Sequence, residues 1–243
     1  MFDMDGRSIL MRLNDCMRLI DRLWTWPDGL VWRLTRGFTE RSRRDRFLLM
    51  MKRLQLGPHT RVVDVGVGDG EGRAINFFEN WYPWKSQITA VSLESDLPNL
   101  RKQAPGVRHV QGDGRRLPFP SGAFDVAVST AVLEHVGTQQ DQQRFVHELC
   151  RVAPVVFLST PNRWFPVDSH TMIPFAHWLP MRVRNAVYRV CGRSFYASEE
   201  RLHLLSKREI RACVPSGWRV RFYPQRTCGM VTVWNVILTR HHV

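Results

Sequence analysis

The chain has 243 residues, 44% of them hydrophobic, enough for one globular domain with an appended subdomain and a sizeable core. No stretch is long and apolar enough to span a bilayer, and the first twenty residues, with Asp3 and Asp5 early and no continuous apolar block, carry no secretory signal. A net charge of +13 allows nucleic acid or an anionic membrane as partner, but the arginines are spread along the chain without a nucleic-acid module, and the five scattered cysteines, none in a C-x-x-C pair, read as reduced thiols of a cytoplasmic protein.

In chain order, residues 8–24 repeat apolar side chains at three- and four-residue spacing and predict a helix with Ser8 at its N-cap. Residues 35–56 predict a second, ended by Gly57 and Pro58. The pattern then changes. "RVVDVG", "ITAVSL", "VRHVQGD", "FDVAVST" and "VVFLST" are short valine-rich runs, with segments of helical length between several of them. Such alternation predicts an α/β fold with a parallel sheet and helices on both faces. Residues 163–205, rich in proline, aromatics and histidine, read as an insertion over the sheet. Ser206 with Glu209 forms a capping box that starts a further helix, and "WRVRFYP" and "VTVWNVILTR" alternate as a closing antiparallel pair. The expected division is 1–58 helical, 59–162 core, 163–205 lid, and 206–243 returning to the core.

Gly66, Gly68, Gly70 and Gly72 follow a strand and precede a helical stretch, "EGRAINFFENWY". Bare backbone at such a turn lets a ligand lie against main-chain N–H groups. The dinucleotide fingerprint fails, because Glu71 or Arg73 stands where its last glycine belongs, and the Gly-Lys-Ser/Thr ending of a phosphate loop is absent. The run carries its own acid, Asp64, which suits a ligand with a cationic part.

"VVDVGVGDG" resembles the first motif of class I S-adenosylmethionine-dependent methyltransferases, and "ITAVSLESD", "VQGDGRRLPFPSGAFDVAVSTAVLEHV" and "LSTPNRWFP" are similar to that family's later motifs in the same order, over about residues 60 to 165. The resemblance implies a Rossmann-like seven-stranded mixed sheet and S-adenosylmethionine as cofactor. It implies that Asp64 and the backbone of Gly66, Gly68 and Gly70 hold the methionine part. Asp113 accepts from the adenine amino group, Gly114 offers an N–H nearby, Leu117 packs on the adenine face, and Ser129 and Thr130 lie beside the methionine moiety or the methyl. For the ribose, Ser92, Glu94 and Asp96 compete. Glu94 is chosen because a carboxylate accepts from two hydroxyls at once.

Methyl transfer to a hydroxyl needs a base on the loops after the fourth and fifth strands. His170 and His135 are the candidates, with His177 third. Asp168 with His170 makes only two ligands, so no metal is expected. The aromatics of "WFPVDSHTMIPFAHWLP" suit an apolar acceptor pocket, and with the nearby arginines a membrane interface. The expected acceptor is a small or lipid-linked molecule, with the chain cytoplasmic and peripheral to the inner membrane face. RNA ribose methylation and a catalytically inactive cofactor-binding scaffold are the rival readings.

Overall fold

The computed structural model describes residues 30–70 and 76–240, with side chains from Thr39 onward. The helix expected over 8–24, Cys16 and Gly72 lie outside the described residues. Helix α1, Leu30–Leu54, begins earlier than the sequence pattern suggested. Strands β1 (Val62–Val65), β2 (Ile88–Ser92), β3 (Arg108–Gln111), β4 (Val126–Thr130) and β5 (Val155–Pro161) run parallel. β6 (Trp218–Thr227) and β7 (Met230–Arg240) close the sheet antiparallel, in the order β3-β2-β1-β4-β5-β7-β6. Pro224 does not end β6 as expected, because β6 is an edge strand and a missing N–H is tolerated there. Cys228 and Gly229, both at positive φ, make the tight hairpin turn into β7.

The strands' period of two divides their side chains between two cores. Val63, Val65, Val156 and Leu158 face α4 (Gln139–Val152), whose Phe145, Val146, Leu149 and Cys150 recur at helical spacing. α6 (Lys207–Ala212) joins this layer through Ile210, and Ser206 and Glu209 form its capping box as the sequence implied. Val62, Ile88, Val126 and Phe157 face the other way, against Met50 of α1 and Phe77 and Phe78 of α2 (Phe77–Trp81). α3 (Pro98–Gln103) packs Leu100 beside Ala90 on that same side. The alternation also decides Asp64: it shares a face with Val62 and so points toward α1 and α2.

The strand order reverses between β1 and β4, which opens a crevice at their carboxyl ends, the place where α/β sheets bind ligands. Residues 163–205, including α5 (Met181–Val190), sit beside this crevice. They leave and rejoin the core at one place, where Asn162 bridges Leu205 and Arg163 N–H donates to the Leu205 carbonyl at 3.2 Å.

Candidate active site

Two adjoining cavities of about 420 and 560 Å³ open at the crevice and share Gly66, Val67, Gly68 and Ala131 in their walls. Gly66 stands at φ +97°, and a Cβ there would lie 2.3 Å from a methyl of Val132. Its N–H and that of Val67 both donate to the Val91 carbonyl, at 2.9 and 3.1 Å, so the turn is tied to β2. Gly68 has nothing within 4 Å of an added Cβ. The loop is pinned from both ends. Asn76 donates to the Gly68 carbonyl at 2.9 Å, and Asp69 accepts the N–H groups of Asn99 and Leu100 at the start of α3. Gly70 lies on this loop but lines neither cavity.

The larger cavity is walled by Ser92, Glu94, Asp113 and Gly114. Ser92 Oγ accepts the Glu94 N–H at 3.0 Å, which fixes the turn after β2. Asp96 is turned away, paired with Arg101 and accepting the Leu97 N–H. Asp113 holds Arg115 through both carboxylate oxygens, 2.7 to 3.1 Å, and that hydrogen bonding keeps its pKa below the usual range. At Gly114 a Cβ would meet Phe145 at 2.3 Å and Val65 at 2.9 Å. Leu117 is not on the cavity wall. It is buried in the α4-side core, its N–H donating to Glu148 at 2.7 Å. Ser129 is likewise buried, donating to the Val65 carbonyl at 2.8 Å, while Thr130 reaches the smaller cavity.

In the smaller cavity Asp64 meets Glu79 of α2, and the two buried carboxyls share a hydrogen bond. Such a pair holds a proton between them. Burial, with Glu79 adding, raises the Asp64 pKa well above the usual range, and burial raises that of Glu79 too. Glu79 Oε1 has no hydrogen-bond partner among the described residues. Opposite them stand Arg43 and Arg46 of α1. Burial, with Arg43 adding, lowers the Arg46 pKa to about 10, and its Nε also lacks a partner. The sequence reading missed Glu79, Arg43 and Arg46, because only the packing of α1 and α2 brings them over the glycine loop.

After β4, Ala131 takes a left-handed conformation at φ 56°, strain of the kind found at functional sites, and a short 3-10 turn, Leu133–His135, follows. His135 and His170 come together here: their Nε2 atoms are 3.0 Å apart. His135 Nδ1 donates to the Arg201 carbonyl at 2.9 Å, and His170 Nδ1 donates to Asp168 at 2.8 Å. Burial pulls the His170 pKa down, but the hydrogen bond and charge of Asp168, helped by Glu134, outweigh it and the net direction is up. Glu134, fully buried, accepts from Thr160 at 2.9 Å through Oε2. His177 is not part of this group. Its Nε2 donates to the Arg163 carbonyl inside the insertion.

Residues 63–154 match the model of a methyltransferase domain family. That stretch carries a methyltransferase domain of the S-adenosylmethionine-dependent kind. Norajmaline N-methyltransferase of Rauvolfia serpentina is 34% identical over 127 residues, which is 46% of this chain and 40% of that relative. Ajmaline N-methyltransferase of the same plant is 29% identical over 92 residues, 36% of this chain and 31% of the relative. The chain thus spans less than half the length of these two relatives. An uncharacterized methyltransferase of Synechocystis is 28% identical over 177 residues, 69% of this chain and 76% of the relative. Among solved structures, magnesium protoporphyrin IX methyltransferase from Synechocystis superposes with a TM-score of 0.55 at 14% identity, covering 98% of this chain and all of that one. A likeness at that identity concerns the fold.

The methyltransferase cleft suits its cofactor. The space over Gly68 is open to a ligand's approach. One end carries a buried acid pair and a buried guanidinium, each with an unpartnered atom, as an amino-acid zwitterion requires. The other end carries Glu94 and Asp113, acceptors for hydroxyl and amino groups.

Proposed function

We propose that this methyltransferase moves the methyl group of S-adenosylmethionine to a hydroxyl of a small or lipid-linked acceptor. The observation that carries this reading is the His135–His170 pair, braced by Asp168, at the carboxyl end of β4. When bound, the cofactor supplies a methyl already activated by its sulfonium charge. The chain's own work is to orient the reactants, exclude water and take a proton. Asp64, with Glu79, takes the cofactor's ammonium, and Arg46 and Arg43 take its carboxylate. The backbone of Gly66 and Gly68 forms the floor. Glu94 accepts from the ribose hydroxyls, with Ser92 holding the Glu94 turn. Asp113 accepts from the adenine amino group beside the Gly114 N–H, and Thr130 lies near the methyl. Leu117 and Ser129 support these groups from the core. The histidine pair takes the acceptor's proton, because Asp168 fixes the His170 tautomer and stabilises its charged form.

The test is release of S-adenosylhomocysteine in the presence of phenolic, alcoholic and amine acceptors and lipid extracts. His170→Asn is expected to slow turnover on a hydroxyl acceptor by about 100-fold or more, with cofactor affinity within about 2-fold of wild type. Unchanged turnover would remove His170 from the reaction. Amine methylation is the second reading, favoured by the N-methyltransferase names of the two plant relatives. It predicts turnover on amines alone.

The lipid-linked half rests on the insertion's surface. Trp164, Phe175, Trp178, Met181 and Phe195 are exposed there, near Arg182 and Arg189. Amphipathic aromatics beside basic residues favour an anionic interface. The chain is expected to float with phosphatidylglycerol-rich vesicles, and Trp164→Ser with Phe195→Ser to reduce the floating fraction several-fold. Wild-type protein remaining at the bottom of the gradient would leave a soluble acceptor.

A further inference from the structure

The sequence count stopped at two metal ligands, but the fold adds Glu134 and His135 to His170. One carboxylate oxygen and two imidazole nitrogens lie within 4.8 Å of one another. The tautomers at this place are decided by their partners. A carbonyl oxygen only accepts, so His135 Nδ1 carries its hydrogen toward Arg201. Asp168 already accepts the Thr171 N–H and hydroxyl through its other oxygen, and His170 Nδ1 donates to it. In neutral rings both Nε2 lone pairs therefore face each other across 3.0 Å. Two acceptors hold that distance only with a cation shared between them, a proton on one ring or a metal ion, and a third, unpartnered ligand atom beside them favours the metal. Glu134 Oε1 stands 3.9 Å from His170 Nε2, fully buried and without a hydrogen-bond partner among the described residues.

We propose that Glu134, His135 and His170 bind a small transition-series dication such as Zn²⁺. Metal–nitrogen bonds of about 2.0–2.1 Å at tetrahedral angles put ligand nitrogens about 3.3 Å apart, close to the spacing found. Two imidazoles and one carboxylate disfavour Mg²⁺ and Ca²⁺, which prefer all-oxygen shells. The Asp168–His170 and Arg201–His135 contacts are the outer hydrogen bonds that orient metal-binding histidines. His135 is exposed and lines the larger cavity, so the ion has an entry path and an open coordination position toward it. There it would hold the acceptor's oxygen and ease loss of its proton, a role that replaces the imidazoles as base because both Nε2 lone pairs are then taken by the metal. That last role rests on the hydroxyl reading above, whereas metal binding itself does not.

The test uses tag-free, chelator-stripped protein titrated with Co²⁺, followed by its visible absorption, and then with competing Zn²⁺. One equivalent of Co²⁺ per chain, displaced by Zn²⁺, is expected. His135→Gln and His170→Gln should each weaken binding by about 100-fold or more, and Asp168→Asn by about 10- to 100-fold. His147→Gln, exposed on α4, should leave it unchanged. S-adenosylhomocysteine titration of the same samples reports folding and the cofactor site separately. Wild type that binds S-adenosylhomocysteine but no Co²⁺ at millimolar concentration overturns the metal site and leaves the methyltransferase reading intact. Stoichiometric Co²⁺ binding that survives both histidine substitutions places the ion elsewhere and overturns it too.

Discussion

Replacing Gly66 by alanine is expected to destabilise the fold by about 2–5 kcal/mol and to abolish measurable binding of S-adenosylmethionine. Two independent effects add. The backbone stands at φ +97°, which an L side chain adopts only under strain of roughly 1–2 kcal/mol. The new methyl would also lie 2.3 and 2.6 Å from the two methyl carbons of Val132 and 3.0 Å from its Cβ, so no rotamer of Val132 relieves the clash. Overpacking of this kind costs roughly a further 1–3 kcal/mol. Because the Gly66 N–H holds Val91, any shift of the turn also moves the floor shared by both cavities. For a chain of this length the melting temperature should fall by about 10 °C. The double substitution Gly66→Ala, Val132→Ala should recover part of that loss, since it removes the two closest contacts but keeps the 3.0 Å approach to the Cβ of residue 132 and the backbone strain. A single variant that melts within 2 °C of wild type (under roughly 1 kcal/mol) would refute the account.

Asp64→Asn is expected to stabilise the ligand-free protein at pH 8 while weakening S-adenosylmethionine binding by about 10- to 100-fold. The folded chain keeps a proton on the Asp64–Glu79 pair that the unfolded chain releases near pH 4. Folding therefore takes up a proton. This pair's contribution is most favourable at low pH and is lost as pH rises from about 4 through the raised folded pKa. An asparagine removes one carboxyl and can donate to Glu79, so the decline should flatten. The affinity loss follows from replacing a charged acceptor of the cofactor's ammonium, worth roughly 1.5–3 kcal/mol. Thermal melts from pH 5 to 9 and titration calorimetry measure both halves. An unaltered pH slope would show that the pair does not share its proton.

Much of this was legible in the sequence where the signal is local. The valine-rich strands and the Ser206–Glu209 box are patterns within a few residues, and each formed the element it implied. Asp64, Glu94, Asp113 and Gly114 stand on the cavity walls because strand ends in a parallel sheet collect at one edge. What was hidden depends on which elements pack together. Arg46 reaches the cleft only because α1 lies across β1, and it contacts Gln225 at 3.4 Å although 179 residues separate them. Glu134 joins His170 only when the insertion folds back over the 3-10 turn. Leu117 shows the converse: its type suits an adenine face, but the turn after β3 directs it into the core.

The close pairing of Asn162 with Leu205 bears on how such a chain can change over time. A segment whose two ends meet can be lengthened, shortened or exchanged with little effect on the sheet that carries it, since loop closure depends only weakly on length. Yet this segment contributes Asp168, His170 and the Arg201 carbonyl, while the sheet side contributes Glu134 and His135. An exchanged insertion would carry half of the proposed histidine site with it. The cofactor end would stay as it is, so diversification in this architecture should proceed in whole cassettes rather than residue by residue.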